Sequence, residues 1–189
     1  MTLELYSVFA TLGTIALFAI SLFTALGYAL SSRFRAYLMT FSYARYLLAI
    51  GVISLASVVG AMVYQLAYLT PVCELCWWQR IFLFPISVIA LVGARYRAYG
   101  THMTVLILSL IGLFYSAYHY YYHFQGLVLG NILSLPCSSG GLLPACTESP
   151  ILTFGFSTIP FMGIMVFGSM ILLALVAHMR GREAGAQTL

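Results

Sequence analysis

The chain reads as an all-α integral membrane protein with five transmembrane helices, its N-terminus outside and its C-terminus inside. Three observations predict this. Hydrophobic residues make up 62% of the 189 positions and charged residues only 6%, against about 25% charged in a soluble domain. Five apolar stretches reach or approach the roughly 20 residues that cross an approximately 30 Å hydrocarbon core. Apart from Arg80, the charges fall outside those stretches.

The first stretch, residues 5–30, follows Glu4 rather than a basic segment and is too long for the apolar part of a signal peptide, so it is expected to be retained as a helix. The second covers residues 46–69. The third, 78–94, is short and contains Arg80 and Pro85, and it is recognised by its flanks: a Cys-x-x-Cys before it and Arg95-Tyr-Arg97 after it. The fourth covers 102–124 and the fifth 159–179. No internal repeat or linker divides them, so residues 1–189 are expected to form a single domain.

Orientation follows from arginine. There is no lysine and no aspartate, and Arg33, Arg35 and Arg45 lie between spans one and two, Arg95 and Arg97 between three and four, and Arg180 and Arg182 after five. With five spans these segments share one side, which the positive-inside rule makes cytoplasmic. The formal charge of +4 therefore reports topology. No basic run or stripe calls for a nucleic-acid partner.

That topology places residues 70–77 and 125–158 on the extracytoplasmic face of the cell membrane, and these two segments contain all four cysteines: Cys73, Cys76, Cys137 and Cys146. Disulfides form and persist on that face. Cys73-x-x-Cys76 has the spacing of a reactive dithiol, and a thiol at a helix N-terminus has its thiolate favoured by the helix dipole. A helix beginning near Cys76 puts Arg80 one turn on and on the same face. An arginine inside an apolar run is costly enough to point to function. A two-residue loop contributes little as a structural bridge, and an oxidising compartment disfavours free thiolates waiting for zinc, so no metal is expected. Cys137 and Cys146 alone would suit a structural disulfide, but beside a reactive pair they can relay electrons by thiol–disulfide exchange.

Their loop holds Leu127–Leu135 and Ile151–Ile159, either of which can lie along the membrane surface, around a turn-rich stretch with Gly140-Gly141. His119 and His123 are four apart near the outer end of the fourth span, suited to an aromatic interface belt or to a hydrogen-bonding or proton-relay role at a cofactor site. A haem would need a further histidine from another helix, and His102 and His178 sit at inner helix ends. Trp77 and Trp78 read as interface anchors, able also to flank a flat aromatic ligand.

Cys73-x-x-Cys76-Trp-Trp-Gln-Arg80 opening a span, a second cysteine pair in a later outer loop, and Thr153-Phe-Gly-Phe-Ser-Thr-Ile-Pro160 before the last span together resemble the DsbB family, in its BdbC-like branch. These are quinone-coupled oxidases of disulfide-bond formation. The resemblance covers residues 45–179, and having the Cys-x-x-Cys before the looser pair separates the chain from vitamin K epoxide reductase-like relatives. It implies a four-helix transmembrane bundle, to which residues 5–30 are an extra N-terminal helix. It implies that Cys137 and Cys146 form the disulfide attacked by a DsbA-like thioredoxin-fold partner, with Cys137 in the mixed disulfide. Electrons would pass to Cys73 and Cys76, and on to ubiquinone or menaquinone, with Cys76 and Arg80 at the quinone and His123 assisting. The Cys137–Cys146 loop, with eight intervening residues, is more compact than in longer members. The competing readings are a membrane scaffold or transporter subunit with two structural disulfides, and a related membrane thiol reductase.

Overall fold

A backbone inside hydrocarbon must satisfy its own hydrogen bonds, so an apolar stretch with no closed barrel to join becomes a helix. The computed structural model describes residues 2–70, 72–127 and 151–186. These form six helices: α1 (Leu3–Leu30), α2 (Ser32–Met39), α3 (Tyr43–Leu66), α4 (Glu74–Tyr96), α5 (Thr101–Leu127) and α6 (Ile159–Ala186). All but α2 are long and apolar enough to cross a membrane, which is the predicted all-α, five-span architecture.

Each helix end uses its local sequence. Thr2 Oγ1 accepts from the Leu5 amide at 3.3 Å to start α1, and Glu4 sits in the first turn, where the dipole favours an acid. Ser31 Oγ accepts from the Phe34 amide and opens α2. This short helix is not foreseen from hydropathy, because it lies in the polar inner connection. It turns Arg35 back on α1, where the guanidinium donates to the carbonyls of Tyr28 (3.0 Å) and Ala29 (3.2 Å) and so supplies the C-terminal cation that the last turn of α1 lacks.

Helices α3 to α6 form a bundle in which α3 packs on α4 and α6, and α5 on α4 and α6. Leu47, Ile50, Ile86, Val105, Phe167 and Met170 are fully buried at its centre. Glycine allows the closest approach: a Cβ at Gly112 of α5 would lie 2.2 Å from the Phe167 ring of α6. Pro85 does not break α4. Near it, Ser54 Oγ of α3 donates to the Leu83 carbonyl at 2.8 Å, tying α3 to α4 beside the proline.

At one end of the bundle, Tyr43 bonds His102 Nδ1 at 2.9 Å and His102 Nε2 meets His178 Nδ1 at 3.0 Å, linking α3, α5 and α6. Arg97 and Arg180 border one small recess there. The cysteine pair lies at the opposite end, so the arginine-bearing connections share a side, as expected.

Helix α1 lies outside the bundle along α6. Its Thr11 hydroxyl meets the Ser157 hydroxyl at 3.0 Å in a buried contact. Ser157 belongs to the tight turn before α6, closed by reciprocal 2.8 Å bonds between Thr153 and Ser157. Gly155 stands there at φ +74° with open space beside it, a backbone angle that glycine adopts freely.

Candidate functional site

The chain reaches the cysteines from the end of α3. Leu69 takes a left-handed conformation, φ 51°, and the Thr70 amide and hydroxyl both donate to the Tyr64 carbonyl, at 3.1 and 2.6 Å. This satisfies a carbonyl that the helix end would leave open. After this turn Cys73 is the N-cap of α4, so the helix starts at Glu74, two residues earlier than expected, and both sulfurs lie at its first turn.

No disulfide joins Cys73 and Cys76. Buried Cys73 donates its thiol to Cys76 Sγ at 3.1 Å, while Cys76 is half-buried. Donating that proton, together with burial, pushes the Cys73 thiol up to about 12, against a smaller downward pull from His119. The helix N-terminus therefore does not make both sulfurs alike: Cys73 keeps its proton and Cys76 receives the hydrogen bond.

His119 comes from α5, and its Nε2 lies 3.4 Å from Cys73 Sγ. Its Nδ1 lies 3.1 Å from Gln79 Nε2 of α4. An amide nitrogen only donates, so a neutral imidazole carries its proton on Nε2, facing the sulfur. One directional chain results: Gln79 to His119, His119 to Cys73, Cys73 to Cys76. All four residues are on α5 or on α4 and its N-cap. His123 lies behind this chain, its ring 4.4 Å from His119 and edge-on. It is buried, and neither histidine is among the described residues that line the adjoining cavity.

Arg80 is buried. It donates to Gln65 Oε1 and, at 3.1 Å, to the Ala61 carbonyl, both on α3, and its guanidinium stands 5.3 Å over the Trp77 ring. These contacts fix a cation in a position where leaving it unpartnered would be costly. Cys76, Gln79 and Arg80 stand together in the wall of a cavity of about 610 Å³, within the roughly 300–1,000 Å³ of small-molecule sites. The expected shared face of Cys76 and Arg80 is thus realised.

The sulfurs of Cys73 and Cys76 and a His119 nitrogen all lie within 4.8 Å of one another, a donor set that could hold a soft metal ion. Cys137 and Cys146 lie outside the described residues. Four-residue spacing puts His119 and His123 on one face and the resemblance points to His123, whereas His119 is the histidine beside Cys73 Sγ and Gln79. The i, i+3 step from Cys76 to Gln79 is the signal available in the sequence for that residue.

A profile of the family described as "Disulfide bond formation protein DsbB" matches residues 43–177. The chain is 33% identical over 119 residues to "Probable disulfide formation protein C" of Halalkalibacterium halodurans, covering 60% of this chain and 79% of that protein. It is 30% identical over 139 residues to "Disulfide bond formation protein C" of Bacillus subtilis, covering 74% and 95%. No solved structure matches the chain. A Cys-x-x-Cys pair at the end of a membrane helix bundle, and a profile match over most of the chain, place it in the DsbB family of disulfide bond formation proteins, which are membrane thiol–disulfide oxidoreductases.

Proposed function

We propose that this protein re-oxidises a DsbA-like thioredoxin-fold dithiol outside the cell membrane and passes the electrons to a membrane quinone, ubiquinone or menaquinone. The observation that carries this reading is that one apolar cavity, reachable from the bilayer, has Cys76, Gln79 and Arg80 in its wall. The fit is chemical as well as spatial: a flat apolar acceptor suits the aliphatic walls, and its oxygens suit the amide and guanidinium donors. When bound, the quinone accepts two electrons and two protons and leaves as the quinol, while the dithiol that supplies them closes to a disulfide.

The residues divide that work. A partner thiolate attacks the Cys137–Cys146 disulfide at Cys137, and the partner's second thiol resolves the mixed disulfide, leaving the loop pair reduced. The loop dithiol then reduces the Cys73–Cys76 disulfide by the same exchange, atom for atom. In the reduced pair, the Cys73 proton directed at Cys76 and the His119 N–H directed at Cys73 hold both sulfurs in place. Arg80 offers a fixed positive charge where negative charge grows during reduction, in a poorly hydrated site where such charge counts for more. Residues 45–179 form the family core of one domain, and residues 125–158 hold the partner-facing pair.

The test mixes purified protein, a reduced thioredoxin-fold dithiol protein and a quinone, and follows quinone absorbance. Wild type reduces the quinone and Cys76→Ala falls to background. Arg80→Ala is expected to slow quinone reduction about 10²–10³-fold while mixed-disulfide formation at the loop, read on non-reducing gels, persists. Turnover that survives Cys76→Ala would leave the cysteines structural, as in a scaffold or transporter subunit. Equal loss of both steps in Arg80→Ala would remove Arg80 from the acceptor.

A further inference from the structure

We infer that α1, which lies outside the family match at residues 43–177, is a working wall of the acceptor cavity, and that its Gly13 face receives the hydrophobic tail of the quinone. This rests on the quinone reading above and assigns the extra helix a specificity role.

Four observations converge. The cavity is lined on the α1 side by Tyr6, Phe9, Ala10, Gly13, Thr14 and Leu17, positions that recur at three- and four-residue steps and so form one continuous helix face. From Tyr6 to Leu17, at about 1.5 Å per residue, that face runs roughly 16 Å along the helix axis. It is longer than a quinone ring needs. Second, the cavity is graded. Cys76, Gln79, Arg80 and Thr70 come from the start of α4 and the turn before it, while Leu17, Val52, Ile53 and Val166 are aliphatic, and the hydroxyls of Thr14 and Ser57 are spent on carbonyls of their own helices. A polar head and an apolar tail are the ligand shape that such a chamber matches. Third, a Cβ built on Gly13 meets nothing within 4 Å, so the absent side chain is part of the open space. Fourth, Phe9 and Val52 are 62% and 53% exposed and also line the cavity, which opens it toward lipid between α1 and α3.

The helix is held to this job by contacts of its own. Tyr6 donates to the Gly60 carbonyl of α3 at 3.1 Å and packs edge-on against Tyr64 at 4.7 Å, bridging the gap at the cysteine end. Thr11 binds Ser157. Further along, Phe18 fills the side of Gly168, where a Cβ would lie 2.7 Å from its ring. Anchored at three levels, α1 leaves a gap to α3 that follows from how it is fastened.

The experiment compares a tail-less dimethoxy-methyl-benzoquinone with its decyl-tailed derivative, in wild type and in Gly13→Leu, and adds a decyl-tailed quinone carrying a diazirine in the tail. Filling the Gly13 space is expected to raise the KM ratio of tailed to tail-less quinone about tenfold. In wild type the photolabel is expected in the peptide containing residues 3–30, displaced by unlabelled decyl quinone. Gly13→Leu must elute as a monodisperse folded protein for its ratio to count, and the wild-type photolabel stands whether or not it does. Wild type reducing neither quinone would overturn the quinone reading and this inference with it. Wild type reducing both, with label only on α4 to α6, would overturn the role of α1 alone.

Discussion

Cys73 and Cys76 carry the same thiol in unlike surroundings, and the difference has a pH signature. Cys73, with its thiol pushed up to about 12, holds its proton through the neutral range, because a raised pKa means less thiolate at any pH below it. Alkylation, which needs the thiolate, should therefore proceed at Cys73 on the order of a thousandfold more slowly at pH 8 than at an ordinary exposed cysteine, rising about tenfold per pH unit until near 12. Mass spectrometry of iodoacetamide-treated reduced protein reads this directly. His119 pulls in the other direction by donating to Cys73 Sγ, so His119→Ala should slow Cys73 alkylation further while His119→Asn, which keeps a donor, restores part of it. Equal labelling of the two cysteines at pH 8 would remove the asymmetry on which their division of labour rests.

At the scale of the helix, what could be foreseen depended on whether the cause was local. The facing of Cys76 and Arg80 is a property of four-residue spacing on one helix, and α4 delivers both to the same cavity. The five spans follow from hydrophobic length, and their predicted limits differ from the observed ones at the ends, where local bonds such as the Thr2 cap of α1 decide. The pairing of Gln79 with His119 instead needs α4 and α5 to cross at one level, and nothing in either segment sets that level. His119 and His123 look equivalent in sequence because both lie on one face of α5. Only the neighbouring helix end distinguishes the one that reaches the sulfur. Crossing levels depend in turn on small residues. A leucine at Gly112 would force its side chain through the space of the buried Phe167 ring, 2.2 Å from the new Cβ, and Gly112→Leu should lower stability by about 1–3 kcal/mol or more. Thermal unfolding in detergent, monitored by circular dichroism, is the check, and an unchanged midpoint would mean that α5 and α6 can slide apart at little cost.

For the whole molecule, the separation of charge and sulfur between two ends is what makes one-way chemistry possible. A sulfur pair at one end and Arg97, Arg180 and the Tyr43–His102–His178 ties at the other leave orientation to be decided by which end crosses the membrane. Moving an arginine-bearing segment across hydrocarbon is strongly disfavoured, and the bias accumulates over short connections. Seven of the eight arginines lie in the connections and tail assigned to the inner side, so they all act in the same direction. On the proposed reading this puts Cys73 and Cys76 at the outer end of the bundle, the side on which the loop pair would exchange with a thioredoxin-fold partner. A C-terminal fusion to a fluorescent protein that matures only in the cytosol should accordingly fluoresce, and the same position fused to a phosphatase active only outside should be silent. Replacing Arg33, Arg35 and Arg45 with glutamine removes the first positive cluster and should produce a mixed population in which the phosphatase gains activity as fluorescence falls. If the native chain gave an active phosphatase, the cysteines would face the reducing cytosol, and a thiol oxidase acting on secreted proteins could not be built from this arrangement.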